Sequence, residues 1–203
     1  MTFVRILLVA ILPIFSTMAF ANQPTILVMG DSLSAGYGIK LEEGWVYLLQ
    51  QDLAKNQQAK IVNASVSGET TSGGSTRLPA LLSKHKPDIV IIELGGNDGL
   101  RGQPLKIMQE NLQAMITASQ TIGAKVVIVG MQIPTNYGPR HTKQFKEIYP
   151  TLAEKNKTYL IPFLLEGVAT YEELIQKDGI HPTAEAQPIL LRNVLSVLLP
   201  ILK

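Results

Sequence analysis

Short apolar runs alternate with longer amphipathic stretches along most of the chain. The apolar runs are rich in β-branched residues and predict buried parallel strands, at 25–29, 59–63, 89–94, 125–130 and 158–161. The amphipathic stretches predict helices, at 45–55, 76–85, 104–122, 143–155 and 184–199. This alternation predicts an α/β fold, a three-layer α/β/α sandwich around a central, mostly parallel five-stranded sheet. No internal repeat, linker or shift in composition divides the pattern, so we expect one domain.

The first 21 residues follow a different pattern. Arg5 precedes an apolar run at 6–15, and Ala19-Phe20-Ala21 then supplies a small-x-small site. This order predicts a secretory signal peptide over 1–21, which leaves a domain over 22–203 and an exported protein, periplasmic or secreted. The alternative is a membrane anchor, but the apolar stretch is shorter than the ~20 residues that span a bilayer. We therefore expect no stable membrane anchor.

Composition narrows the classes of function. The 203 residues include 18 Lys+Arg against 16 Asp+Glu, a net charge of +2 with no basic block, which argues against a nucleic-acid partner. There is no cysteine, so disulfides, thiol nucleophiles and cysteine metal ligands are excluded. The hydrophobic fraction of 46% is that of a folded chain with its own core. We expect a monomer that uses no metal and no cofactor.

Ser32 is the candidate nucleophile. In open parallel sheets, sites form where strands end at their carboxyl termini, and Ser32 lies two residues after the first predicted strand, in Gly-Asp-Ser-Leu-Ser at 30–34. The start of a helix there favours negative charge. A turn that exposes a serine in this way resembles in purpose the nucleophile elbow of α/β hydrolases, but the Gly-x-Ser-x-Gly motif is absent because position 34 is serine. The alternative is that Ser32 only caps a helix.

His181 is the candidate base among the three histidines, the others being His85 and His141. Asp178 precedes it by three residues, so the carboxylate could accept a hydrogen bond from imidazole Nδ1 and leave Nε2 free as a base. Pro182 limits His181 to extended conformations. The alternative is a turn and cap before the last helix, because Asp-Gly is a frequent turn pair.

Gly68 and Asn97 are candidate donors to an oxyanion. Gly68 follows the second strand, and without a side chain its N–H can approach a substrate closely. Asn97 lies in a predicted Gly-Gly-Asn-Asp loop at 95–98, after the third strand, and offers a neutral amide. Each could equally be an ordinary turn residue.

Taken in order, these segments resemble the SGNH (GDSL) hydrolase family. The resemblance is carried by Gly-Asp-Ser-Leu-Ser at 30–34, Gly68, Gly-Gly-Asn-Asp at 95–98 and Asp-Gly-Ile-His-Pro at 178–182. Further segments resemble the bacterial periplasmic acyl-CoA thioesterase I, lysophospholipase and arylesterase branch, namely 63–70, 77–82, 93–102 and 131–138. The resemblance covers nearly all of 24–200.

The resemblance implies a flavodoxin-like sandwich and a serine hydrolase that cleaves acyl esters and thioesters of small molecules through an acyl-enzyme. It implies that Ser32 is the nucleophile, His181 the general base, and Asp178 the group that orients the imidazole. It also implies an oxyanion hole made by the N–H groups of Ser32 and Gly68 and by the Asn97 amide.

The resemblance also implies that residues 132–140 form a mobile loop beside an acyl groove. Ile133, Pro134 and Tyr137 in that segment would bind the substrate, since their side chains suit an aliphatic chain. Asp31 and Asp98 would tie their loops by hydrogen bonds.

Three alternatives remain beside this interpretation. A carbohydrate acetyl-esterase of the same family would share every catalytic residue. A non-catalytic binding domain could keep the fold. Here, however, the serine, glycine, asparagine and histidine after which the family is named are all present. A nucleotide-binding protein is disfavoured, because no Gly-x-Gly-x-x-Gly or phosphate-loop lysine follows the first strand.

Overall fold

The computed structural model describes residues 23–55 and 58–202, so the predicted signal peptide lies outside the described residues. The strands are β1 Thr25–Gly30, β2 Lys60–Asn63, β3 Ile89–Glu93, β4 Lys125–Val129 and β5 Tyr159–Ile161. The helices are α1 Ser32–Ala35, α2 Trp45–Lys55, α3 Thr71–His85, α4 Gly96–Leu100, α5 Leu105–Thr121, α6 Pro139–Asn156 and α7 Gln187–Leu202. Short 3₁₀ turns lie at Leu41–Glu43, Thr135–Tyr137 and Glu172–Leu174.

The five strands form one sheet in the order β2-β1-β3-β4-β5, and all four pairings are parallel. The predicted α/β class and five-stranded sheet are therefore confirmed. All five residues of β3 are buried, as expected for a strand covered on both faces.

Two groups of helices cover the sheet. Helices α2 and α7 pack against each other, as do α3 with α5 and α5 with α6. Because crossovers between parallel strands are right-handed, the first pair lies on one face and the other three lie on the opposite face. The Trp45 N–H at the start of α2 donates to Gln187 Oε1 at the start of α7, at 3.0 Å. Among the described residues, no helix is long and apolar enough to cross a bilayer.

Helix α3 begins at Thr71, five residues before the predicted start. The Thr70 hydroxyl caps it by accepting the Gly73 N–H at 3.3 Å. Gly74 is buried where an added Cβ would overlap Leu94. Glycine is therefore required inside this helix for close packing against the sheet.

The bounds of the last two long helices also differ from the prediction. Helix α6 begins at Pro139, four residues early, because proline at the first helical position lacks only an N–H that has no helical partner. Helix α7 begins at Gln187 instead of 184 and continues to Leu202. Its Pro200 lies in the last turn, past the predicted end at 199.

The sheet order places a switch point between β1 and β3. From β1 the chain crosses to β2 on one side, and β3 then lies on the other side of β1. Loops leaving β1 and β3 at their carboxyl ends diverge there and open a crevice between them. Ser32 follows β1 and Asn97 follows β3, so the sheet order brings these two segments together.

Candidate active site

Ser32 is the first residue of α1, immediately after β1 and its connecting Asp31. The N-cap of this helix is Asp31, whose Oδ1 accepts the Leu33 N–H at 3.0 Å. The alternative that Ser32 merely caps the helix is therefore wrong. Its half-buried hydroxyl is available for another partner.

That partner is His181. Ser32 Oγ lies 2.9 Å from His181 Nε2, although the two residues are 149 positions apart in sequence. On the other side of the ring, His181 Nδ1 lies 2.7 Å from Asp178 Oδ2. The three side chains form a continuous hydrogen-bonded series. A hydroxyl, an imidazole and a carboxylate in this order can act as nucleophile, base and orienting group.

Asp178 is held as a carboxylate. Its Oδ1 accepts the N–H groups of His181 and Ile180, each at 3.0 Å. These backbone bonds, that from His181 foremost, together with the imidazole lower the pKa of Asp178 to about 2. An ionised Asp178 can accept a hydrogen bond from the Nδ1–H group, which leaves the lone pair of Nε2 directed at Ser32.

A short hairpin carries both Asp178 and His181. Ile175 forms an antiparallel bridge with Pro182, and the Gln176 N–H donates to the His181 carbonyl at 2.7 Å. Gly179 turns the chain at a φ of 74°. The hairpin therefore fixes the backbone on both sides of the candidate base.

Two backbone N–H groups are open to a substrate. Within residues 23–55 and 58–202, the N–H groups of Ser32 and Gly68 donate to no protein acceptor. Gly68 has a φ of 78°, which favours glycine, and its carbonyl accepts a bond from Arg101 Nη2 at 3.0 Å. The Gly68 peptide is thus fixed while its donor stays available.

Asn97 lies in helix α4 and not in the predicted loop. Gly95, with a φ of 117°, supplies the N-cap that lets the chain enter the helix directly after β3. Asn97 Nδ2 donates to Asp31 Oδ2 and to the Glu69 carbonyl, both at 3.0 Å. Its amide therefore bridges the segment before Ser32 and the segment after Gly68.

Two buried carboxyl groups lie next to the segment that carries Ser32, and sequence reasoning missed one of them. Glu93 is fully buried in β3, and its Oε2 accepts the Ser34 hydroxyl at 2.6 Å and the Asp31 N–H at 3.2 Å. Burial raises the pKa of Glu93 well above its usual value and that of Asp31 to about 6. The available signal was an acidic residue ending an otherwise apolar strand.

Asp98 ties two elements together, as expected. Its carboxylate accepts the Thr71 N–H at 2.9 Å and the Thr71 hydroxyl at 2.5 Å. Helix α4 is thereby joined to the first residue of α3, and Asp98 itself is buried.

The predicted substrate-binding residues differ in their surroundings. Pro134 is exposed, and Tyr137 is 37% exposed with its hydroxyl donating to the Leu100 carbonyl at 2.9 Å. Ile133 is only 6% exposed and lies in the hydrophobic core, where an added Cβ on Gly99 would meet it. Ile133 therefore packs in the core next to Gly99, beneath the exposed part of the segment.

An open depression of about 690 Å³ lies beside Asp178, lined by Tyr37, Gly38, Gln176, Lys177 and Asp178. The Tyr37 ring packs on the His181 ring, with centroids 4.5 Å apart and planes tilted by 39°. In the part of the chain that the structure describes, no three His, Asp or Glu side chains gather as metal ligands.

Comparison with known proteins places this geometry among ester hydrolases. The sequence model of the GDSL-like lipase/acylhydrolase family matches residues 28–188. Over 183 residues the chain is 50% identical to esterase TesA of Pseudomonas aeruginosa, an alignment that covers 90% of this chain and 91% of TesA. It is 40% identical over 174 residues to thioesterase 1/protease 1/lysophospholipase L1 of Escherichia coli strain K12, covering 86% and 83%.

A solved structure matches as well. The crystal structure of the psychrotrophic esterase EstA from Pseudoalteromonas sp., inhibited by monoethylphosphonate, superposes with a TM-score of 0.85 at 42% identity. The superposition covers 89% of this chain and 99% of EstA.

Proposed function

The chain belongs to the GDSL-like lipase/acylhydrolase family and is a serine ester hydrolase, and from that premise we propose that Ser32, His181 and Asp178 form its catalytic triad. The observation that carries the proposal is the hydrogen-bonded series from Ser32 Oγ through the imidazole to the Asp178 carboxylate. It supplies a nucleophile, a base and an orienting anion in the required order.

In the first step, Ser32 Oγ attacks the acyl carbon while its proton passes to His181 Nε2. The imidazolium then gives that proton to the departing alcohol or thiol, and an acyl-enzyme remains on Ser32. Water then attacks the carbonyl carbon of this ester while its proton passes to His181. When the resulting tetrahedral intermediate breaks down, the imidazolium gives the proton to Ser32 Oγ. The products are the carboxylic acid and the free enzyme.

The oxyanion hole of the proposal consists of the N–H groups of Ser32 and Gly68 and the Asn97 amide. Among the residues that the structure describes, the two backbone donors bond no protein acceptor, which supports their role. The Asn97 amide already bonds Asp31 and Glu69, so it would share one of these protons with the oxyanion. Donors held in place before reaction stabilise the developing charge without reorganisation.

We propose acyl esters and thioesters as substrates. The support is the naming of relatives as an esterase and as thioesterase 1/protease 1/lysophospholipase L1. Pro134 and Tyr137 would border the acyl chain, with Ile133 packed beneath them. A hydrolysis panel tests the assignment with p-nitrophenyl esters of increasing chain length, acyl-CoAs, a lysophospholipid and acetylated xylose. Faster turnover of the sugar acetate than of every other substrate would identify a carbohydrate acetyl-esterase instead.

The triad is tested by covalent labelling. A p-nitrophenyl ester of monoethylphosphonate should phosphonylate one serine and release p-nitrophenolate. The adduct should map to the peptide that contains residues 30–34, and activity should disappear in step with labelling. Ser32→Ala should remove both labelling and nearly all turnover while the melting temperature changes little. Ser72→Ala, an exposed serine of α3, is the matched control and should behave as wild type. An adduct on another serine that accounts for the loss of activity would refute the triad.

Export is a further part of the proposal. Cleavage after Ala21 would leave a mature chain that begins at Asn22. The intact mass of the protein recovered from a periplasmic extract should match residues 22–203, whereas a full-length mass in that fraction would contradict the predicted signal peptide.

A further inference from the structure

Ser32 begins helix α1 and His181 lies in the hairpin, and few hydrogen bonds connect the two segments that carry them. Within the described residues, only two hydrogen bonds join the segment 31–38 to the segment 174–183. One is the bond from Ser32 to His181, along which the proton passes in the proposed reaction. Misplacement by about 1 Å can cost ~10²-fold in rate, so the other bond bears on catalysis.

That other bond comes from the Gln176 side chain. Its Nε2 donates to the Tyr37 carbonyl at 2.9 Å and to the Pro182 carbonyl at 2.9 Å. An amide nitrogen carries two protons, so the Gln176 side chain can donate one hydrogen bond to each of the two segments. The Tyr37 N–H donates in turn to the Ser32 carbonyl at 3.1 Å, and Pro182 directly follows His181.

We propose that Gln176 is a positioning residue that sets the distance between Ser32 Oγ and His181 Nε2 by holding the Tyr37 and Pro182 carbonyls on one amide. This inference rests on the proposed triad. It assigns Gln176 no contact with the substrate and no part in proton transfer.

The segments 31–38 and 174–183 come close to each other at this amide. Gly38 has a φ of 76°, and an added Cβ there would overlap the Gln176 side-chain amide. Glycine at 38 therefore leaves the space that the amide occupies. On the other side of the contact, the Tyr37 ring packs on the His181 ring with centroids 4.5 Å apart.

The Gln176 side chain is not needed to form the hairpin that carries His181. The hairpin has backbone bonds of its own: the bridge between Ile175 and Pro182, the Gln176 N–H to the His181 carbonyl, and the Thr183 N–H to the Leu174 carbonyl at 2.8 Å. What the side chain adds is the link across to Tyr37. Loss of that link should therefore affect catalysis more than stability.

The test uses Gln176→Met, which keeps the length of the side chain and removes both donors, and Gln176→Glu, whose carboxylate repels both carbonyls. The matched control is Gln120→Met, because Gln120 Nε2 also donates to a backbone carbonyl, that of Asn156 at 2.9 Å, at the junction of α5 and α6. We measure kcat, KM, the rate constant of phosphonylation at Ser32, and the melting temperature.

Gln176→Met and Gln176→Glu should lower kcat and the phosphonylation rate by about 10- to 100-fold. KM and the melting temperature should stay close to those of Gln120→Met. A folded Gln176 variant whose kcat and phosphonylation rate match those of Gln120→Met would overturn the proposal. So would a variant whose loss of rate is explained entirely by a raised KM.

A measurement on the wild-type enzyme makes the proposal independent of whether the variants fold. Both side-chain amide protons of Gln176 should be protected from exchange with solvent in an NMR experiment, since both are bonded. Rapid exchange of either proton would contradict the pair of hydrogen bonds from Gln176 Nε2 to the Tyr37 and Pro182 carbonyls. If wild type is not labelled at Ser32, the proposed function fails; if Ser32 is labelled and the Gln176 variants react normally, only the positioning role fails.

Discussion

Asn97 has two possible roles that differ in their consequences. As an oxyanion donor it strengthens its bond in the transition state, so Asn97→Ala should lower kcat by roughly 10²–10³, or about 3–4 kcal/mol, with little change in KM. As a tie between Asp31 and Glu69 alone, it would lower the melting temperature and leave the kcat of folded enzyme intact. Both quantities should be measured on the same preparation.

Asn97→Asp sharpens this comparison. It adds a carboxyl group beside the buried pair Asp31 and Glu93 and directs it at the developing negative charge. We therefore expect a loss of kcat at least as large as for Asn97→Ala. A folded Asn97→Asp enzyme with wild-type kcat would remove Asn97 from the oxyanion hole.

Asp178 determines which group controls activity in acid. Its pKa is lowered to about 2 from a usual 3.8, so it stays ionised wherever the enzyme works. A fall of kcat/KM at a pH well above 2 should therefore not come from protonation of Asp178, which a pH profile of the enzyme checks. The stabilising contribution of Asp178 is present above about pH 3.8 and is lost as the pH falls through about 2.

At the level of the helix, α3 depends on a glycine inside its first turns. The Cβ of Gly74→Ala would overlap Leu94 and lie 3.3 Å from Met115 Sδ, both held in the core. Overpacking costs about 1–3 kcal/mol, whereas the helix propensity of alanine returns about 1 kcal/mol. We expect a net loss of up to about 2 kcal/mol in the free energy of unfolding, measured by urea titration.

The neighbouring Ser72→Ala is the control for this helix. Ser72 is exposed, and its substitution should change the free energy of unfolding by no more than about 0.5 kcal/mol. Equal stability of Gly74→Ala and Ser72→Ala would mean that the contact with Leu94 relaxes without cost.

Stability of the whole molecule should depend on pH through the buried carboxyl groups beneath α1. The folded pKa of Asp31 is about 6 against 3.8 for the free side chain, and that of Glu93 is also raised. Between these values the unfolded chain loses protons that the folded chain keeps, so stability should fall as the pH rises from about 4 to 6. For Asp31 the cost at neutral pH is about 3 kcal/mol, because one pKa unit corresponds to about 1.4 kcal/mol.

Glu93→Gln tests this origin of the pH dependence. The amide oxygen can still accept the Ser34 hydroxyl and the Asp31 N–H, but the side chain no longer ionises. The slope of the free energy of unfolding between pH 4 and pH 7 should become shallower, with part remaining from Asp31. Glu110→Gln, an exposed carboxylate of α5, should leave the slope unchanged, and equal slopes in both variants would contradict the assignment.

The sequence by itself determined the elements and the candidate residues, because these depend on local properties. Apolar runs predicted all five strands to within one residue at each end, and helix α2 at Trp45–Lys55 was predicted without error. Parallel strands place their carboxyl ends at one edge, so Ser32 and Asn97 could be assigned to one site from their positions after β1 and β3. The spacing of Asp178 and His181 likewise predicted their contact.

Only the tertiary structure decided features that depend on contacts between distant segments. The Leu94 side chain occupies the space that a Cβ at position 74 would need, and Ile133 is buried in the core. Neither feature is visible in the local sequence. The pairing of Glu93 with Asp31, and the link from Gln176 to Tyr37, join residues 62 and 139 positions apart. Such contacts arise only when the sheet and its loops have closed on one another, so a local pattern could not predict them.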